Sequence, residues 1–175
     1  MLKASKGRLP VVGISGWKNS GKTTLVVALV RELVGRGLRV STLKHAHHAF
    51  DIDLEGKDSY LHRSAGASEV LVASDQRWAL MHELRGTAAP TLDELVSHLA
   101  PCDLVLAEGF KTGRHPKIEV ARDAGRPLIA ASDPTVLAVV TNEPTIRCDR
   151  PIFHADDTHG IADFLLRRRP DRLDH

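Results

Sequence analysis

Eight residues near the N-terminus, Gly16-Trp17-Lys18-Asn19-Ser20-Gly21-Lys22-Thr23, restrict the folds open to this chain more than any other stretch. They satisfy G-x-x-x-x-G-K-[ST] at every fixed position, and that spacing needs a strand before it and a helix after it. Val11 to Ser15 is a short apolar run suited to a buried strand. Thr24 to Val34 reads as a helix, with Leu25, Leu29 and Leu33 at four-residue spacing and Val26, Val30 and Val34 one step round. Gly35 and Gly37 end it. A strand, a glycine-bearing loop and a helix N-terminus make an anion site, because free backbone N–H groups and the helix dipole point the same way. In that geometry the loop's backbone N–H groups point at phosphates, Lys22 reaches the terminal ones, and the Thr23 hydroxyl ligates Mg²⁺.

Further along, strand and helix signals alternate. Arg39–Lys44 reads as a second strand, so the chain opens with a parallel βαβ unit. Lys57–Ala67 has helical composition, and Glu69–Ala73 with Arg77–Met81 form a hairpin through Ser74-Asp75-Gln76. Pro90-Thr91 opens a helix to Leu99, with Thr91 and Glu94 in capping-box spacing. Asp103–Ala107, Lys117–Val120, Val136–Val140 and Pro151–His154 are strands, and Gly160–Arg168 is the last helix. This alternation predicts a layered α/β domain of the P-loop NTPase type, a mainly parallel sheet flanked by helices. At 175 residues and 42% hydrophobic, residues 10–168 suffice for one such domain, with residues 1–9 as a flexible leader and 169–175 as a tail.

A phosphate loop needs an acid on a neighbouring strand to hold Mg²⁺. The segment Asp103-Leu104-Val105-Leu106-Ala107-Glu108-Gly109 offers two. Five steps at about 3.3 Å per residue separate the acids by roughly 16 Å. Ligands of parallel sheets lie at the carboxyl ends of the strands, so the acid is Glu108. Lys44-His45-Ala46-His47-His48-Ala49-Phe50-Asp51-Ile52-Asp53 leaves the second strand at that same edge. Asp51 and Asp53 share a face if extended, and one of them could contact Mg²⁺ or orient a hydrolytic water, with Asp53 and Glu108 the catalytic candidates. Lys44 and the histidines could meet phosphate oxygens. The histidines lack the i, i+4 spacing of a helical zinc pair and have no cysteine nearby.

Composition excludes other classes. The 24 Lys and Arg against 22 Asp and Glu leave a net charge of +2, too balanced for a general nucleic-acid binder. No apolar run approaches the ~20 residues of a membrane span, and the polar start to Arg8 leads into no signal-peptide pattern. Cys102 and Cys148 are isolated, as expected of a protein of the reducing cytoplasm.

The loop, together with Lys44-His45-Ala46-His47-His48, Phe50-Asp51-Ile52-Asp53, Gly56-Lys57-Asp58-Ser59-Tyr60, Arg63, Ala65-Gly66-Ala67 and Leu104-Val105-Leu106-Ala107-Glu108-Gly109-Phe110-Lys111, resembles the MobB family of molybdopterin-guanine dinucleotide biosynthesis adapter proteins. The resemblance spans roughly residues 10 to 165. It implies a cytoplasmic, homodimeric GTP-binding protein that hydrolyses GTP slowly at best, with Mg²⁺. It further implies an accessory to the molybdopterin guanylyltransferase, which joins GMP to molybdopterin, and molybdopterin itself is a candidate ligand. By motif match the resemblance implies that Gly16, Asn19, Ser20, Gly21, Lys22, Thr23 and Thr24 hold the phosphates, with Glu108 near the metal, and Asp51 and Asp53 carry over less directly. The guanine-reading Asn-Lys-x-Asp is missing: the corresponding strand ends in Val140-Thr141-Asn142-Glu143-Pro144, with only Asn142 in place. Two other functions fit a phosphate loop in a chain this size. One is a small kinase, with Arg114 or Arg122 as lid cations, and the other is a nickel or zinc metallochaperone GTPase using the histidines.

Overall fold

The computed structural model describes residues 10–46 and 50–168, so the expected leader and tail, His47 and His48 lie outside the described residues. Contacts divide the chain into two compact units, one of residues 1–45 with 92–175 and the other of residues 46–91.

The larger unit is a six-stranded sheet in the order β2-β5-β1-β6-β7-β8. Its strands are β1 (Val11–Ser15), β2 (Val40–Lys44), β5 (Leu104–Glu108), β6 (Lys117–Val120), β7 (Val136–Val140) and β8 (Ile152–Phe153). Every pairing in it is parallel. The expected βαβ unit is present with a modification: β5 lies between β1 and β2, pairing Val11 with Val105 and Val40 with Leu104. The fold is thus the expected P-loop-like α/β architecture. The central strands read as unbroken apolar runs because helices or loops cover both faces.

On one face α1 (Lys22–Gly35) and α4 (Thr158–Arg167) pack Leu25, Leu29, Leu33, Ile161, Phe164 and Leu165 onto Ile14, Leu106, Ile118 and Val140. Each such side chain contributes about 1.5–3 kcal/mol on burial. The stripe on α1 is narrower than its sequence suggests, since Val34 is exposed. The helix closes with Leu38 N–H donating to Leu33 O and Gly37 N–H to Val34 O, the paired bonds of a Schellman end. α4 begins two residues before the expected Gly160, because the Asp157 carboxylate accepts the Gly160 N–H and caps it. On the opposite face Ala121, Val139 and Ile146 pack beneath Leu128 and Ala130, at a short 3₁₀ turn, Ile129–Ala131, that the sequence does not signal. A short helix, α3 (Leu92–Ser97), follows Thr91.

Arg36, just past α1, ties the two helices together. Its guanidinium pairs with Glu32 and Asp163, and the His159 ring accepts or donates beside it. Hydrogen bonds from Arg36 hold both carboxyls below their ordinary range. A carboxyl with a depressed folded-state pKa stabilises the fold above its unfolded value, about 4, and that contribution is lost as pH falls through the folded value. Thermal melts between pH 6 and pH 2 are expected to show this loss in the wild type and a shallower acid decline in Arg36→Ala.

The smaller unit holds α2 (Asp58–Ser64) and an antiparallel hairpin, β3 (Glu69–Ala73) with β4 (Trp78–His82). The hairpin matches the sequence expectation shifted by one residue on its second strand. Within this unit Arg63 gathers three carboxylates: Asp51 at 2.7 Å, Glu83 at 3.1 Å and Asp53 at 3.5 Å. Asp53 also accepts from the Ser59 hydroxyl.

Candidate functional site

The phosphate loop runs from the end of β1 into α1, where side chains and backbone both leave it open to an anion. Gly21 stands at the N-cap in the left-handed region, φ 97°, and no side chain caps the helix. The first helical bond runs from Leu25 N to Gly21 O, so the N–H groups of the preceding turn point outward unpaired within the helix. Asn19, φ 64°, uses the tolerance of asparagine for the same region. Gly16 has no room for a side chain, because a Cβ there would collide with the Val120 carbonyl.

Lys22 folds back over the loop. Its ammonium donates to Trp17 O at 2.8 Å and Gly16 O at 3.2 Å. Burial lowers its pKa, Glu108 opposes the shift, and the charges of Lys111 and Lys44 add to the lowering. A phosphate would replace those carbonyls with a full counter-charge. Thr23, one residue on, donates its hydroxyl to Glu108 Oε1 at 2.8 Å. Glu108 ends β5 and is buried, with Lys44 Nζ 3.8 Å from the same oxygen. Asp103, the rejected acid, is at the opposite end of β5, where it accepts from Arg39 N. Thr23 hydroxyl and Glu108 carboxylate meeting at one point is a donor set suited to Mg²⁺, directly or through water. Two loop-side hydroxyls, Ser15 Oγ and Ser20 Oγ, are buried with no hydrogen-bond partner among the described residues, as expected where a polar ligand or water completes the site.

Gly109 follows Glu108 at the end of β5. Its φ of 89° is left-handed, and the backbone it makes room for is that of His45, whose carbonyl a Cβ would approach to 3.2 Å. His45 N–H donates to Glu108 O, and the ring meets Phe110 edge to face at 5.4 Å. The Glu108-Gly109-Phe110 run therefore anchors the exit of β2.

The structure brings Gly16, Asn19, Ser20, Gly21, Lys22, Thr23, Thr24, Lys44 and Glu108 into the larger unit, at one edge of its sheet. Asp51 and Asp53 belong to the smaller unit, where Arg63 is their partner and its hydrogen bond holds Asp51 below the ordinary carboxylate range. Among the described residues no group of three or more His, Cys, Asp or Glu is arranged to hold a metal ion. No described helix is long and apolar enough to cross a membrane.

This architecture and this loop have relatives. The family described as molybdopterin guanine dinucleotide synthesis protein B matches residues 11–142. The chain belongs to the MobB family. It is 43% identical to the molybdopterin-guanine dinucleotide biosynthesis adapter protein of Haemophilus influenzae, over 90% of this chain and 88% of that one. It is 40% identical to the protein of the same description from Escherichia coli, over 93% and 95%. Among solved structures, that of Bacillus subtilis MobB superposes with a TM-score of 0.70 at 30% identity, covering 92% of this chain and 98% of that chain. These MobB relatives do not favour the kinase or metallochaperone alternatives.

Two residues of this MobB-family chain that the sequence did not single out, Glu119 and Lys117, lie near the loop, together with Arg122, which the sequence offered only as a lid cation. Glu119 of β6 is fully buried, and its two oxygens accept the N–H groups of Ile129 and Ala130 at 2.8 Å each. Lys117, also fully buried, is held by Asp133, Thr135 Oγ1 and Gly113 O. The Arg122 guanidinium rests on Gly21, at 2.8–3.0 Å from where a Cβ would stand. Charged residues inside an otherwise apolar strand signal buried pairing only once their partners are known.

Proposed function

We propose that the chain binds GTP with Mg²⁺ and acts in the cytoplasm as an adapter in molybdenum-cofactor biosynthesis, assisting the guanylyltransferase that joins GMP to molybdopterin. The observation that carries this reading is the contact of Thr23 with Glu108 beside an uncapped phosphate loop, in a chain whose relatives are named as adapters of this pathway. In it the loop N–H groups and Lys22 bind the phosphates, while Thr23 and Glu108 hold the metal, which offsets phosphate charge. In this reading, as the family resemblance implies, hydrolysis is slow at best. Both cysteines are free thiols, in keeping with a reducing compartment.

Support for guanine comes from Asn142, after β7. Its carboxamide oxygen accepts Ala155 N–H at 2.8 Å, which fixes the amide so that its NH₂ remains the outward donor. Guanine offers O6 and N7 as acceptors, whereas adenine puts an amino donor in place of O6. Calorimetric titration with GTP and ATP, each with Mg²⁺, tests the reading. GTP is expected to bind more tightly, and Asn142→Asp, which keeps an acceptor for Ala155 but loses the donor, is expected to erase the preference. No affinity for either nucleotide defeats the proposal.

A homodimer fits the smaller unit. Its hairpin exposes Leu71, Val72, Trp78 and Leu80, and a two-stranded hairpin is only marginally stable alone. Light scattering is expected to give twice the chain mass for the wild type and the monomer mass for Trp78→Asp with Leu80→Asp. A monomeric wild type refutes it.

A further inference from the structure

Beside the phosphate loop, on the side away from Lys22, Thr23 and Glu108, lies a cavity of about 270 Å³. One wall is the outer surface of the loop, Trp17 to Ser20. The other runs from Glu119 in β6 through Arg122 and Asp123, after the strand, to Arg126. None of the three residues assigned to the metal and terminal phosphate lines it. Its volume falls just below the ~300–1,000 Å³ of whole-ligand pockets, which suits the charged end of a small molecule.

The charges in the cavity do not cancel. The acids are already occupied: Glu119 accepts Ile129 and Ala130 N–H with its two oxygens, and Asp123 takes Gly125 N–H and the Arg126 guanidinium. Arg122 and Lys18 have no hydrogen bond or ion pair among the described residues. The Ser20 hydroxyl on the same wall is buried and unpartnered. Trp17 is fixed by its indole N–H to Pro127 O, with Arg126 and Lys111 over its ring at 5.7 and 5.2 Å. Two free cations and an orphaned hydroxyl around a concave space ask for a compact anion with several acceptor oxygens.

The geometry points to a second anion site in this cavity, distinct from the nucleotide's own, that takes the phosphate group of a phosphate monoester through Arg122 and Lys18. Arg122 is the specificity-determining residue. It spans the two sites, its planar fork lying on Gly21 of the loop and open to the cavity. The site rests on a nucleotide filling the loop, and it would put the phosphate of a second small molecule beside the terminal phosphates.

The test uses the full chain loaded with GDP and Mg²⁺, titrated calorimetrically with glycerol 3-phosphate and, as control, with glycerol. Glycerol 3-phosphate is expected to bind and glycerol not. Arg122→Ala is expected to weaken glycerol 3-phosphate by about 10- to 100-fold, the loss of a charge-assisted bond, and Arg122→Lys by less. GDP affinity is expected to fall by a smaller factor than glycerol 3-phosphate affinity in both variants, because Arg122 also lies on Gly21. Absence of binding to the loaded wild type, or equal binding by Arg122→Ala, overturns the site. So does a parallel loss of GDP affinity, which returns Arg122 to the nucleotide. Loading with an imido analogue of GTP separates the two sources of phosphate: if the analogue blocks glycerol 3-phosphate where GDP does not, the cavity takes the nucleotide's terminal phosphate and the second ligand is refuted. If no nucleotide binds, the adapter reading falls, and glycerol 3-phosphate titrated into unloaded Lys22→Ala, whose loop has lost its phosphate-facing charge, decides the cavity: binding that a further Arg122→Ala removes keeps it, and no binding overturns it.

Discussion

Replacing Lys22 with alanine is expected to weaken GTP·Mg²⁺ by about 100-fold or more while leaving the melting temperature within a few degrees of wild type. The ammonium donates only to two loop carbonyls, on a residue that is partly exposed. Those carbonyls can turn to water when it goes, so the fold loses little. The bound phosphates lose a full charge. The pKa direction adds a pH dependence. Burial lowers Lys22 in the empty protein, and bound phosphate raises it. Affinity is then complete below the empty-state pKa and declines above it, at a pH lower than an ordinary lysine would give. Calorimetry across the alkaline range checks both statements, and an unchanged affinity in Lys22→Ala refutes the loop assignment. Run with and without Mg²⁺, the same titration on Glu108→Gln is expected to lose metal dependence more than metal-free affinity.

The largest effect on stability is expected at Lys117. Its ammonium is fully buried, with Asp133 Oδ2 at 3.1 Å and Thr135 Oγ1 at 2.6 Å. Desolvation alone would raise the pKa of Asp133, but hydrogen bonds from Thr135 and Lys117 outweigh it and the carboxyl lies below its ordinary value. Lys117→Ala leaves that carboxylate without its cation, orphans two carbonyls and opens a cavity in β6. The expected cost is about 3–5 kcal/mol. Lys117→Met keeps most of the volume and is expected to cost less. Chemical denaturation of both variants measures this, and equal losses would mean that pairing rather than packing is at stake, since both variants lose the cation and only Lys117→Ala loses the volume.

What could be read in advance followed local rules. β1, β6 and β7 matched residue for residue, β1 and β7 because strands buried on both faces appear as nearly unbroken apolar runs. The choice of Glu108 over Asp103 needed only the rise of a strand. What stayed hidden depended on partners distant in sequence. Lys117 and Glu119 look like the polar face of an edge strand, and only Asp133, Thr135 and the turn at Ile129 make them interior. Arg122 reaches Gly21 because β6 is beside β1, a neighbour relation no periodicity encodes. For Asp51 and Asp53 their spacing of two was visible, but the claim of Arg63 on both depended on how residues 46–91 fold as a unit. No shift in composition marks the limits of that unit.

The insertion of β5 between β1 and β2 also governs how the chain can be made. The strand that carries the phosphate loop is flanked by β5 and β6, and both emerge long after it. At about 5–20 residues per second, β1 waits some 5–20 s on the ribosome before its first neighbour exists. Until then its apolar edge is unpaired and exposed to other nascent chains. Pairings this distant also make for slow refolding from denaturant. A chain interrupted before residue 104 would retain a complete phosphate-loop motif, but no strand beside it to give that motif a shape.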